Sequence, residues 1–235
     1  MYRFFGDVVD GVTSILSEKD SHHFKVLRIR PMEVVDCVRS DGVVEAVFLK
    51  EDDGRIYLKT VGQKTASHEA PGEVVLIQAL IKNDKMEQVI NSCVQVGVHS
   101  ILPLIAANNV VKLEGKVDKK LKRWQTLAEV AAKQSKRDTI PEVLEPVTVA
   151  DLKAFDGELV VCYENAAGTT AYDLELASQR VGLVIGPEGG FTEGEVDQLQ
   201  AMGAHIITLG PRILRAETAA LCGAFQLISL LERKL

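Results

Sequence analysis

The chain has 235 residues, of which 46% are hydrophobic and 26% charged, an ordinary globular composition that excludes wholesale disorder and a fibrous repeat. That length accommodates one large domain or two modest ones, and the net charge of −6 does not by itself favour a nucleic-acid partner. The longest apolar run, Val74 to Ile81, is interrupted by Gln78 and falls far short of the roughly 18 residues of a membrane span.

The N-terminal residues Met1 to Asp7 carry no basic-then-apolar export pattern, so a soluble cytoplasmic protein is expected. Cys37, Cys93, Cys162 and Cys222 are widely separated, without CxxC or Cys–His spacing. Each is expected as a small buried hydrophobe, and no metal site is expected.

Residues 1 to about 70 read as a small β domain. Val34–Val38, Val43–Leu49 and Arg55–Val61 are β-rich runs separated by the turn signals Ser40-Asp41-Gly42 and Asp52-Asp53-Gly54. Ser21 to Arg30 suggests a short helical turn leading into a strand, and the polar stretch Gly62–Gly72 suggests a linker. From Glu73 strands and helices alternate. Val74–Leu80 suits a strand buried on both faces. A helix follows from about Asp84 to Val96, with Asp84 and Glu87 at capping-box spacing and Gly97 to end it.

Ser100–Ile105 is the next strand, and a long helix is expected from about Lys119 to Ser135, with Trp124 on its apolar side. Leu159–Glu164, Val181–Ile185 and His205–Leu209 are further strands; Thr192 and Glu195 cap the helix between the last two, and Ala216 to Leu231 forms a final helix. This alternation implies an α/β domain with a largely parallel sheet.

Charge is unevenly distributed. Between Lys112 and Arg137 nine Lys/Arg face three acids. Such a run is either a solvated helix face or a phosphate-contacting strip, and charge alone does not choose between them.

In an open parallel sheet, ligands bind beyond the carboxyl ends of the strands. Two consecutive strands end there in Gly-Pro: Gly186-Pro187-Glu188-Gly189-Gly190, and Gly210-Pro211-Arg212-Ile213-Leu214-Arg215. Either alone reads as a tight turn; together they read as a pocket. The first loop carries neither the dinucleotide nor the P-loop fingerprint. Glu188 would repel a phosphate, so a nucleoside-like or cationic ligand fits better, and S-adenosylmethionine has that character.

The stretches 183–191 and 209–219 resemble the two signature loops of the RsmE family, SPOUT-class methyltransferases that modify uridine N3 in 16S rRNA. Further matches are Lys82 to Glu87, Gly97-Val98, Arg123-Trp124, Gln134-Ser135 with Arg137, Ile140-Pro141, and His22 with Val26-Leu27-Arg28, so the resemblance spans the chain. Met32, Gln95, Val130 and Ala216 depart from the family pattern without touching a residue assigned to chemistry.

The resemblance implies a PUA-like β-barrel RNA-binding domain over residues 1–70 and a SPOUT methyltransferase domain with a C-terminal trefoil knot over 73–235. It also implies a homodimer with S-adenosylmethionine as cofactor. The cofactor pocket is expected to involve Glu164, Gly186, Pro187, Glu188 and Gly190 from one side, and Leu209, Gly210, Ile213, Leu214, Arg215 and Ala219 from the other.

Methyl transfer to uridine N3 requires loss of the N3 proton, hence a base or a cation that stabilises the anion. Arg215 is expected to stabilise that charge or orient the base, with Glu217 holding the arginine; the alternative for the two is an ion pair that only shapes the loop. RNA of the small ribosomal subunit is expected to meet Lys119, Lys120, Lys122, Arg123, Lys136 and Arg137, with Arg28 and Arg30 from the small domain. Trp124 is expected in the core rather than on a base. Of His22 and His23, one is expected to pack and the other to face RNA.

Overall fold

The computed structural model describes residues 2–65, 67–111, 115 and 117–233, without the side chain of residue 83. Lys112 and Lys116, the first members of the basic run, lie outside the described residues. The chain divides into two compact units, residues 1–69 with 136–139, and residues 70–135 with 140–235.

Among the described residues the first unit holds a closed five-stranded barrel of order β1-β2-β5-β4-β3, closed by the parallel pairing of β1 with β3. Its elements are β1 (Arg3–Val8), β2 (Thr13–Leu16), α1 (Glu18–Val26), β3 (Val35–Arg39), β4 (Gly42–Asp52) and β5 (Arg55–Lys64). The β4–β5 turn places Asp53 at φ 47° and Gly54 at φ 74°, the two left-handed residues that an Asp-Gly hairpin turn requires.

Alternate residues of the strands fill the barrel: Phe4, Leu16, Val35, Cys37, Val44, Ile56 and Leu58, plugged by Phe24 of α1. Helix α1 starts earlier than the sequence suggests, because the Ser17 side chain accepts from the Asp20 amide and caps it. Strand β5 runs on to Lys64, so the expected linker loses its first three residues to the barrel.

Residues 136–139 belong to this unit through a cluster of charge. The Arg137 side chain, 3% exposed, is gripped by Glu69 at 2.5 Å, and Glu69 also accepts from the amides of Asp138 and Thr139. Arg3 joins Asp138 at 2.6 Å and Asp36 at 3.2 Å, and Lys64 reaches Asp36 at 2.6 Å. Arg137 was expected on an RNA-facing strip. It is a buried structural cation instead, because its planar fork matches one carboxylate.

The second unit is an α/β domain. Among its described residues, β6 (Glu73–Ala79), β7 (Ser100–Ile105), β8 (Glu142–Val143), β9 (Val147–Thr148), β10 (Glu158–Cys162), β11 (Arg180–Ile185) and β12 (His205–Ile207) form one sheet. The order is β12-β10-β11-β6-β7-β8, with β9 also on β7, and every pair is parallel. The helices are α2 (Asn83–Val96), α3 (Val117–Gln134), α4 (Glu193–Ala201) and α5 (Ala216–Glu232).

The continuous apolar run of β6 is explained by burial on both faces. Val74 and Leu76 pack with α2, α3 and α5, while Val75, Ile77 and Ala79 pack on the other face with Val196 and Leu199 of α4. Trp124 is 3% exposed and sits in the first of these clusters.

Two capping expectations separate here. Thr192 and Glu195 form the reciprocal box, the threonine hydroxyl accepting from the Glu195 amide at 3.2 Å and the carboxylate from the Thr192 amide at 2.9 Å. At α2 the N-cap is Lys82, which makes no side-chain cap bond, so Asp84 and Glu87 are not a box. Gly97 does close α2, at φ 112°. Cys37 and Cys93 are buried, whereas Cys162 and Cys222 are only half-buried, contrary to expectation. No helix among the described residues is long and apolar enough to cross a membrane.

Candidate active site

Strands β10, β11 and β12 end side by side, and the loops that leave them enclose a cavity of about 750 Å³. Its wall runs from Tyr163, Glu164, Ala166 and Gly168 after β10, through Gly186, Pro187, Glu188 and Gly190 after β11, to Thr208 through Ala216 and Ala219 after β12. Lys85, from the first turn of α2, completes it. All eleven residues assigned to the pocket from sequence line this one cavity.

Backbone conformation explains the glycines. Gly190 has φ 69°, and a Cβ there would overlap the Glu164 carboxylate; Gly210 has φ 106°. Both are left-handed positions that a side chain rarely tolerates. The first loop is braced from outside as well. Asn108 Nδ2 donates to the carbonyls of Gly189 at 3.2 Å and Gly190 at 3.1 Å, and Glu195 Oε1 accepts from the Ala107 amide at 2.8 Å.

Glu188 Oε1 accepts from the Lys82 amide at 3.2 Å. It thereby serves an amide at the uncapped start of α2, where a carboxylate also complements the helix dipole. The second loop is held by Thr208, whose hydroxyl accepts from the Gly210 amide at 3.1 Å, while the Thr208 amide donates to the Thr169 carbonyl at 2.8 Å.

The expected partnership of Glu217 with Arg215 is not formed. Glu217, in the first turn of α5, pairs with Lys85 Nζ at 3.3 Å. Arg215 is the N-cap residue of α5, exposed, with no side-chain cap bond. Lys85 was visible in sequence only as part of the Lys82–Glu87 stretch, and Asn108 had no signal at all; both reach the site through folding.

The basic residues are dispersed. Lys119, Lys122 and Arg123 are exposed on α3 and Lys120 is half-buried there; Arg123 also pairs with Glu87 at 2.7 Å. Arg28, Arg30 and Lys136 are exposed on the barrel unit. His22 and His23 are both exposed, and His23 also sets its ring edgewise to Phe4 at 6.0 Å.

A family model for an RNA methyltransferase domain matches residues 68–228. The ribosomal RNA small subunit methyltransferase E of Mesomycoplasma hyopneumoniae is 33% identical over 225 residues, spanning 94% of this chain and 96% of that protein. Its counterpart in Bacillus subtilis is 33% identical over 221 residues, spanning 88% and 86%. The crystal structure of a ribosomal RNA small subunit methyltransferase E from Neisseria gonorrhoeae, bound to S-adenosyl methionine, superposes with a TM-score of 0.87 at 30% identity, covering 98% of each chain.

Proposed function

The chain belongs to the ribosomal RNA small subunit methyltransferase E family, and from that premise we propose that it methylates N3 of a specific uridine in 16S rRNA, using S-adenosylmethionine. The observation that carries the reading is the single cavity of about 750 Å³ built by both Gly-Pro loops. That volume lies within the range of small-molecule sites, whose walls combine apolar surface with a few polar groups.

The residues present fit the cofactor. Gly190 and Gly210 take left-handed conformations on the cavity wall, and at Gly190 the missing Cβ leaves room for the Glu164 carboxylate. Glu164 and Glu188 put carboxylates on the wall, which complement a ligand bearing sulfonium and ammonium charge. The residues proposed to hold it are Glu164, Gly186, Pro187, Glu188, Gly190, Leu209, Gly210, Ile213, Leu214, Arg215 and Ala219. When bound, the cofactor supplies a methyl group activated by positively charged sulfur.

The protein's task is to deliver a uridine whose N3 is free of its proton. N3 lies on the pairing edge, so the nucleotide enters unpaired or flipped. Arg215, exposed on the cavity wall, orients the base or stabilises its developing charge. Lys119, Lys120, Lys122 and Arg123 of α3, with Lys136, Arg28 and Arg30 of the PUA-like barrel unit, position the RNA through phosphates.

Ile213, 87% exposed at the cavity, and Phe225, 58% exposed on α5, leave apolar surface suited to a second copy in a homodimer. The trefoil knot is supported by the order β12-β10-β11 together with the return of α5 across β11 and β6 to α2. Cytoplasmic location follows from an rRNA substrate.

The decisive experiment is transfer of labelled methyl to small ribosomal subunits lacking the modification, with naked rRNA and tRNA alongside and the product mapped. Label at N3 of one uridine in 16S rRNA is expected. Label on tRNA would reassign the substrate, and no transfer without cofactor binding would make the protein a non-catalytic RNA-binding member.

A further inference from the structure

The Lys85–Glu217 pair is left unexplained by cofactor binding. Its two residues come from different helices, each in the first turn: Lys85 is the third residue of α2 and Glu217 the second of α5. A helix N-terminus favours anions, so Glu217 suits its place and Lys85 opposes its own. A lysine also gives up side-chain freedom to be held there. Its side chain is 24% exposed and that of Glu217 only 11%, yet Lys85, and not Glu217, lines the cavity. A residue that local preference disfavours, held by a better-buried counter-ion and turned to a cavity, marks function rather than stability.

Its position is tied down twice. Glu217 holds Nζ at 3.3 Å, and the Glu188 carboxylate joins the start of α2 to the pocket loop at 3.2 Å. Glu217 lies two residues beyond Arg215, so the two cations meet the cavity from the beginnings of α2 and α5.

We propose that Lys85 is a second catalytic cation, which meets a carbonyl oxygen of the bound uracil, and that Glu217 is the residue that positions it. The proposal rests on the uridine N3 reading above. When the N3–H bond breaks, the proton passes to solvent water and the electron pair stays on the ring. The resulting charge spreads from N3 to the carbonyl oxygens on either side of it. A uracil anion therefore offers two anionic oxygens, and Arg215 and Lys85 offer two cations. The ammonium stabilises the anion more than the neutral base, which is the condition for lowering a barrier.

The test compares the wild-type protein with Lys85→Met, Lys85→Arg and Glu217→Gln on small ribosomal subunits lacking the modification. Subunits carrying uridine or 5-fluorouridine at the target are used, the fluorine making N3–H more acidic. Expected for Lys85→Met is a loss of about 10²–10³-fold in single-turnover transfer at neutral pH. The deficit should shrink as pH rises and shrink again with 5-fluorouridine. Lys85→Arg should recover part of the rate, and Glu217→Gln should fall between it and Lys85→Met.

Binding gives a readout independent of turnover. With S-adenosylhomocysteine present, wild-type protein should prefer fluorinated subunits increasingly as pH rises, and Lys85→Met should not. Cofactor affinity by calorimetry should stay within about threefold in all variants, equivalent to under one kcal/mol. A Lys85→Met deficit that is the same at every pH and for both nucleosides would overturn the proposal in favour of a structural pair, as would near-wild-type transfer. Failure of the wild-type protein to methylate N3 would instead overturn the functional reading itself.

Discussion

Single residues at the pocket are set by backbone conformation and by charge. Gly190 combines φ 69° with the Glu164 carboxylate where a Cβ would stand. Gly190→Ala therefore faces about 1–2 kcal/mol of left-handed strain before any steric cost, and cofactor affinity should fall at least about tenfold by calorimetry. An unchanged affinity would remove this loop from the cofactor site. Arg215 has no ion-pair partner among the described residues, so replacing it leaves no buried charge stranded. Arg215→Ala should lower methyl transfer by about 10²–10³-fold with an unchanged thermal midpoint; near-normal turnover would refute its assignment. Glu217 shows what sequence proximity concealed. Two residues from Arg215 in the chain, it pairs with Lys85, a contact that only the packing of α2 beside α5 creates.

Elements carry the next tier of predictions. On α3, Trp124, Ala128, Ala131 and Ala132 are buried while Lys119 and Lys122 face solvent, so charge on this helix can be altered without touching the core. The double variant Lys119→Ala with Lys122→Ala should weaken binding to rRNA and reduce the salt slope by about 0.7 per lost contact. An unchanged slope would make the strip a solvated face. In the sheet, a Cβ on Gly182 of β11 would come within 2.8 Å of Ile77 and Leu159. Gly182→Ala should cost about 1–3 kcal/mol of stability in denaturant titration. Element identity was largely readable from apolar periodicity, as β6, β7 and α5 attest. Strands β1 and β2 were not singled out, because their apolar faces are only a few residues long and gain definition by pairing around the barrel. The two-residue strands β8 and β9 exist only because β7 offers them an edge.

At the scale of the whole molecule, the charge cluster that joins residues 136–139 to the barrel contributes to the pH dependence of stability. Burial raises the Glu69 carboxyl, but the Arg137 guanidinium and the amides of Asp138 and Thr139 outweigh it and hold it below its usual 4.5. For Asp138, burial is likewise outweighed by the His68 amide, Arg3 and the Ser67 hydroxyl, which hold it below 3.8. A carboxyl depressed in the folded state adds stability that is fully present above its unfolded value and lost as pH falls through the folded one. Stability of the wild-type protein should thus decline on acidification below those usual values. Glu69→Gln should lose about 3 kcal/mol near neutrality by removing the carboxylate that pairs with the buried Arg137, and its acid decline should be shallower. Equal acid profiles in denaturant titrations across pH would refute the assignment.

What the sequence determined by itself was the α/β order of strands and helices, the β-rich first unit, and the two Gly-Pro loops that wall the cavity. Each depends on local chemistry: apolar runs select strands, Thr-x-x-Glu starts a helix, and glycines with proline shape a tight loop at a strand end. Family resemblance added the identity of the ligand and the reaction. Only the tertiary structure decided that Arg137 is a buried anchor rather than an RNA contact, that Glu188 serves the start of α2, and that Lys85 faces the cavity under the hold of Glu217. Those three assignments turn on which carboxylate meets which cation or amide across 68, 106 and 132 positions of chain. A charge on a long side chain has no preferred partner until packing supplies one, and burial then makes that partner obligatory.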